Sequence, residues 1–290
     1  MKIQEVQAKS ILVASALPDT DYVLNPYTGC SFGCSYCYAS FMGRFVGESI
    51  ASWGEYVYVK VNAVELLEQE LGRWSAKRRA RTLLLSSVTD PYDGIESKYR
   101  LTRGLLAVLA RERYPGTVSI LTKSPIVLRD IDLLLELPDV EVGMTVTTTD
   151  DRLSRFLEVR APLASRRLKT LAELKRSGIR TYAFIGPLLP HFCVQPALLE
   201  KLIVSIAATG VTCVYVEHMN LKPYIRERLW HHLQDEPEDV RSVYAASATK
   251  SHREKLDRMI APLLDRYGLT LRLGKVLEHD ADAQIRRRLV

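Results

Sequence analysis

Three of the five cysteines fall within eight positions, in the segment NPYTGCSFGCSYCYAS, where Cys30, Cys34 and Cys37 are spaced C-x₃-C-x₂-C. Three thiolates on one loop bind three irons of a cubane cluster and leave the fourth iron open to an external ligand. An open coordination position separates a reactive metal centre from a closed structural one. Zinc, the obvious rival, takes four protein ligands in structural sites, commonly as two C-x₂-C pairs, and no second pair lies nearby. A two-cysteine redox motif would leave Cys30 unexplained. Gly29 and Gly33 suit a loop that wraps closely round a cluster, because glycine adopts backbone conformations closed to other residues.

Such a loop needs a rigid platform. Short β-branched runs at residues 22–27, 82–88, 117–121, 140–147, 181–185 and 211–217 alternate with helix-like patterns at 62–74, 102–112, 126–136, 165–177 and 196–209. This alternation predicts βαβ units and a parallel sheet. Six units are too few for a complete eight-fold barrel; a partial barrel and an open doubly wound sheet both fit the periodicity. In either case ligands gather at the carboxyl ends of the strands, and the cysteine loop follows the first of them. A further strand at 56–61 is expected at a sheet edge. Helical patterns at 224–234 and 240–267, a short strand at 269–273 and a charged tail form a C-terminal extension (221–290) packed on the core (1–220).

The chain of 290 residues is long enough for one large α/β domain with an appendage. Its 47% hydrophobic and 26% charged residues are those of a soluble globular protein. The start, MKIQEVQAKS, is polar, and ILVASAL is too short for a signal-peptide core. No apolar run approaches the roughly 20 residues that span a bilayer, so a cytoplasmic protein without membrane partners is expected. Five cysteines, three of them clustered, argue against a disulfide scaffold and for a metal or redox site. A net charge of +6 permits a polyanionic partner without demanding one. The densest basic run, RWSAKRRAR at 73–81, reads as a solvated helix end before a buried strand.

The cysteine spacing, with the aromatic Tyr36 before the last cysteine, resembles the signature of the radical S-adenosylmethionine (SAM) enzymes. NPYTGCSFGCSYCYA, VTDPYDGIE, LTRGLLAVL, SILTKSPIVLRDIDLL and VTTTDDRLSRFLEVRAP resemble the spore photoproduct lyase-like branch, over roughly residues 22–220. The resemblance implies an α/β fold, the partial (β/α)₆ barrel. It also implies a [4Fe–4S] cluster on Cys30, Cys34 and Cys37, with the amino and carboxylate groups of SAM on the open iron. An electron then breaks the S–C5′ bond to give methionine and a 5′-deoxyadenosyl radical. By position, Lys123 is expected to meet the SAM carboxylate or ribose, as suits a compact point charge. Thr89 and Asp90 resemble a Ser–Asp pair lining the SAM site, and Thr147 a hydroxyl residue bonded to the ribose. Tyr36, Ile185 and Gly186 fall where backbone groups read the adenine edge. Ser124 and Arg160 are further cofactor candidates, although Ser124 equally shapes the turn before Pro125.

One departure outweighs these matches. The DNA-repairing lyase returns a hydrogen atom from a cysteine near the end of the second strand. Here that stretch is LLLSSVTDP, with Ser87 at the corresponding position. An O–H bond is much stronger than an S–H bond, so serine is no hydrogen donor of this kind. Cys193, beyond the fifth strand, and Cys213, in the sixth, stand as replacements; for Cys213 the alternative is a small buried hydrophobe. Strand alternation puts Cys213, Tyr215 and Glu217 on one face. Tyr215, Glu217 and His218, with Cys193, are the candidate catalytic residues. His191 and Asn220 sit near them, whereas His231 and His232 read as surface residues.

These observations predict a radical SAM enzyme acting on a substrate the sequence does not identify, a small molecule in preference to nucleic acid. A one-electron donor of flavodoxin or ferredoxin type is expected. The contrasting readings are an enzyme acting on a nucleic-acid lesion or base, and a non-catalytic iron–sulfur protein.

Overall fold

Runs such as 83–85 and 140–145 carry leucine and β-branched side chains suited to strands covered on both faces. In the computed structural model, which describes residues 1–278, six of these runs lie parallel in one sheet. They are β1 (Tyr22–Leu24), β2 (Leu83–Leu85), β3 (Val118–Thr122), β4 (Val140–Thr145), β5 (Arg180–Leu188) and β6 (Cys213–His218). Each pairs with the next in chain order. Thr270–Leu271 adds a parallel strand beside β6, and Leu12–Ala14 an antiparallel one beside β1. These two strands end the sheet order, so the barrel is partial. The connecting helices are α1 (Ala63–Gly72), α2 (Leu101–Arg111), α3 (Ile131–Glu136), α4 (Asp151–Glu158), α5 (Ala164–Arg176) and α6 (Pro196–Ala207). Beyond the barrel come α7 (Pro223–Leu233), α8 (Glu238–Ala246) and α9 (Lys250–Arg266).

The expected strand at 22–27 divides in two. Its first half is β1; its second, Tyr27–Thr28, joins a separate three-stranded sheet with Tyr56–Lys60 and Lys2–Val6. The strand expected at an edge is therefore the centre of that small sheet, paired on both sides, which explains why four of its five residues are buried. The cysteine loop leaves from the small sheet, not directly from the barrel. Strand β2 is shorter than predicted because Ser86, at φ +67°, turns the chain out of the sheet.

Helix α4 had no counterpart in the apolar periodicity. It is nucleated by Asp150, whose Oδ1 accepts from the N–H groups of Arg152 (2.8 Å) and Leu153 (3.2 Å). The single helix expected over 240–267 breaks at 247–249, where the Thr249 hydroxyl caps a new helix by accepting from His252 N–H at 3.2 Å. The extension is not wholly helical: the Thr270–Leu271 strand and a bridge from Glu217 to Leu277 tie it into the barrel sheet. The tail expected at 279–290 lies outside the described residues.

Candidate active site

The cysteine loop is fixed at almost every residue. Gly29 sits at φ +93°, and a Cβ there would lie 2.4 Å from the Tyr56 carbonyl oxygen, so no other residue fits. The Gly29 carbonyl accepts from the Thr89 hydroxyl at 2.5 Å. Buried Asp93 takes both the N–H (2.6 Å) and the hydroxyl (2.9 Å) of Ser31. The loop then crosses the turn at Gly54, where a Cβ would meet Gly33 Cα at 2.8 Å. Arg160 clamps this crossing: its Nε donates to Ser31 O at 2.8 Å, and its Nη2 to the Gly54 carbonyl and to Glu55. Ser35 N–H donates to Leu157 O at 2.8 Å. Cys30, Cys34 and Cys37 are all free thiols, and each lies close enough to the others for its charge to be felt.

Beside the loop a buried carboxylate gathers the carboxyl ends of β3 and β4. Glu158, 1% exposed, is paired with the fully buried Arg167. It also accepts from Ser154 Oγ (2.9 Å), Thr147 Oγ1 (3.3 Å) and the Tyr36 hydroxyl, and it lies 3.9 Å from Lys123 Nζ. Burial alone would push its carboxyl up, but the Arg167 guanidinium and the Lys123 ammonium hold it at about 2. Lys123 is poised over the Tyr36 ring, 5.9 Å from its centroid. Its burial disfavours charge, yet the negative charges of Cys34, as a thiolate, and of Glu158 more than offset this and raise the ammonium's pKa. Glu158 is aimed inward by a strained turn: Val159, a β-branched residue, has φ +46°.

These groups fit an anionic iron–sulfur cluster. Burial pushes the Cys34 thiol up to about 12 despite Lys123, and burial with Asp93 and Asp90 raises Cys30 well above its ordinary value. Uncoordinated thiols here are neutral at pH 7; iron binding is what ionises them. Two buried polar atoms within electrostatic reach of Cys37, Arg228 Nη1 and the Tyr56 hydroxyl, have no hydrogen-bond partner. Unsatisfied buried donors are rare in folded proteins, and cluster sulfur would accept from them.

Tyr36, Lys123 and Thr147 thus meet at Glu158, beside the cysteine loop. Thr89 and Asp90 are near it but are engaged in bracing: Asp90 accepts from Thr122 Oγ1 (2.5 Å) and Lys123 N–H (2.8 Å), tying β2 to β3. Ser124 caps the turn after β3, accepting from Ile126 N–H at 3.3 Å, so the turn-shaping alternative describes it. Arg160 likewise spends its guanidinium on the loop backbone and Glu55. Ile185 has a fully buried side chain and pairs with Val216 in the β5–β6 ladder, with Gly186 next to it in the same strand. Glu217 lies near enough to raise the Cys37 and Tyr38 protons.

Cys193 and His218 depart from expectation. Alternation turns the His218 side chain away from Glu217 and against α9, where its Nε2 lies 3.0 Å from Asp257. Cys193 Sγ lies 3.9 Å from His252 Nε2 on the same helix. Tyr215 points into the barrel as predicted, but towards its opposite mouth, where its hydroxyl donates to Asp19 at 3.2 Å. His191 bonds the Tyr244 hydroxyl at 2.8 Å. His232, read as a surface residue, stacks on Phe156 with ring centroids 4.5 Å apart and meets the Phe156 carbonyl.

Sequence reasoning missed Asp93 and Arg228. Asp93 lies in a quoted motif, and a charge next to a ligand-bearing segment was the available signal. Arg228 left none.

Comparison with known proteins agrees with this geometry. The Radical SAM superfamily profile matches residues 24–192. An uncharacterized protein of Methanocaldococcus jannaschii is 31% identical over 257 residues, covering 88% of this chain and 92% of its own. A protein of Pseudomonas phage M6 named Radical SAM Nalpha-GlyT isomerase is 29% identical over 205 residues, 66% of this chain and 38% of that one. Among solved structures, a cysteine-to-serine mutant of spore photoproduct lyase superposes with a TM-score of 0.69 at 13% identity, covering 93% of this chain and 81% of that one. The last shows a shared fold.

Proposed function

This chain belongs to the radical SAM superfamily, and from that premise we propose that it cleaves SAM reductively and uses the radical to abstract hydrogen from a small substrate. Membership implies a [4Fe–4S] cluster and SAM; the assignment of residues to them is our own. When bound, the cluster supplies the electron that splits SAM into methionine and a 5′-deoxyadenosyl radical. Cys30, Cys34 and Cys37 hold it. Lys123 meets the SAM carboxylate, Thr147 the ribose, and the backbone at Tyr36, Ile185 and Gly186 the adenine. Glu158 keeps Lys123 charged and fixes the Tyr36 ring. Glu217, on the Cys37 side, is placed to orient a polar substrate. Ser87 leaves the end of β2 without a thiol, so the product radical is quenched differently from that of the repair lyase.

The observation that carries this reading is the convergence of three thiols, two of them buried, with Lys123 and unpartnered donors at the carboxyl ends of the strands. The electron comes from a flavodoxin- or ferredoxin-type donor, and no described helix is long and apolar enough to cross a membrane. The preference for a small substrate rests on α7, which lies across the cysteine loop. Tyr224 Oη donates to Tyr38 O (3.1 Å), and Arg228 Nη2 to Cys34 O (3.4 Å). Reconstituted protein given dithionite, SAM and deuterated candidate substrates is expected to yield labelled 5′-deoxyadenosine. Absence of any 5′-deoxyadenosine would leave a non-catalytic iron–sulfur protein.

A second reading, a nucleobase substrate, is supported by Phe41, Arg44 and Phe45 just after Cys37. The Arg44 guanidinium lies 4.7 Å from the centroid of the exposed Phe45 ring. DNA binding that weakens steeply with salt would favour it.

A further inference from the structure

Helix α7 belongs to the C-terminal extension, outside the segment matched by the family profile. It is nevertheless pinned to the cysteine loop at one end, through Tyr224 and the Tyr38 carbonyl, and to the Phe156 carbonyl at the other, through His232. Between these anchors, about one turn from each, stands Arg228. Its Nη2 donates to the Cys34 carbonyl at 3.4 Å, while its Nη1 is buried with no partner. Among the described residues no carboxylate pairs with it. A partly buried guanidinium without a counter-ion is costly unless an anion completes its surroundings. The nearby groups able to become anionic are Cys34, Cys37 and the Tyr56 phenol.

We propose that Arg228 is a positioning residue that tunes the iron–sulfur cluster, supplying a hydrogen-bond donor and a fixed positive charge from the extension. The inference rests on the three-cysteine reading above. A [4Fe–4S]²⁺ core with three thiolates has a net charge of −1, and accepting one electron makes it −2. A fixed cation stabilises the reduced form more than the oxidised one. Hydrogen bonds to cluster sulfur act in the same direction, so Arg228 raises the potential and eases the entry of the first electron. The extension thereby becomes part of the redox centre.

The test is an EPR-monitored potential titration of the full-length, reconstituted protein, with iron counted before each run. Arg228→Gln is expected to hold four irons but to show a more negative midpoint. At a fixed solution potential the ratio of reduced to oxidised cluster should fall about tenfold, equivalent to 59 mV for a one-electron couple. Arg228→Lys, which keeps the charge and loses the planar fork, should shift less in the same direction. Midpoints identical to wild type in both variants would overturn the proposal. Should Arg228→Gln fail to hold iron, Arg228→Lys decides alone: a lowered midpoint supports the role, an unchanged one removes it. A wild-type protein that takes up no four-iron cluster would instead refute the three-cysteine reading itself.

Discussion

Each mouth of the barrel is built round a buried glutamate, and the two are finished differently. At the amino ends of the strands, Glu141 is gripped by Arg272 through two hydrogen bonds of 2.8 and 3.2 Å. Arg180 lies 3.3 Å from it, and Ser119 Oγ donates at 3.1 Å. Arg180 also pairs with Asp139, and Arg272 with Asp19, so the charges there answer one another. At the carboxyl ends, Glu158 has its partner in Arg167, but Lys123 lies at 3.9 Å and Arg228 has no carboxylate among the described residues. The cations there face three thiols. At one mouth the arginines are paired with carboxylates of their own; at the other, Arg228 has no carboxylate among the described residues and reaches the cysteine loop instead. A buried ion pair alone therefore does not mark a functional site. What marks it is charge and donors left over after the pairs are counted.

The contrast is sharpest for iron. Cys34→Ala should lose most of its iron and all 5′-deoxyadenosine formation, whereas Arg272→Leu should retain both if it folds, as iron analysis and chromatography will show. Next comes stability. Removing Arg167 leaves a buried carboxylate with the more distant Lys123, 3.9 Å away, as its remaining cation, so Arg167→Leu should cost roughly 3–5 kcal/mol in urea unfolding. Arg272→Leu should cost less, about 1–2 kcal/mol, because Arg272 is partly exposed and Arg180 remains to pair with Glu141. An equal or larger loss at Arg272 would break the comparison.

Acid should single out the reactive mouth. The Glu158 carboxyl sits at about 2, below its unfolded value near 4.3. Its stabilisation is therefore complete above about pH 4.3 and lost as pH falls towards 2, and it amounts to roughly 3 kcal/mol. Glu158→Gln should flatten this part of the stability–pH curve; an unchanged slope would remove Glu158 as its source. The smallest effect is expected for Lys123→Met: about tenfold weaker SAM binding, roughly 1.4 kcal/mol by calorimetry on reconstituted protein. Unaltered affinity would exclude Lys123 from the SAM site.

Much of the fold was legible from the sequence because parallel strands covered on both faces leave continuous apolar runs, and β3, β4 and β6 lie close to where those runs fall. The failures have local causes. Helix α4 had no apolar pattern to reveal it because its start depends on one cap, Asp150, while its polar residues gain their value from burial. Tyr27 extended the first apolar run, yet it belongs to another sheet, since pattern does not say which neighbour a strand will find. The 240–267 helix looked unbroken because a Thr cap within a helical pattern carries little local signal.

The three clustered cysteines, the βα alternation and the serine at position 87 were determined by the sequence alone, because each depends on residue type and short-range spacing. The tertiary structure decided which charges meet. His218 faced away from the mouth because adjacent strand positions point to opposite faces. Thr89, Ser124 and Arg160 became braces because their donors and acceptors found backbone partners first. Glu158 joined Tyr36, 122 positions away, and Arg228 reached Cys34, 194 positions away. No spacing rule encodes contacts at such separations; only the closure of the barrel and the docking of α7 bring them together.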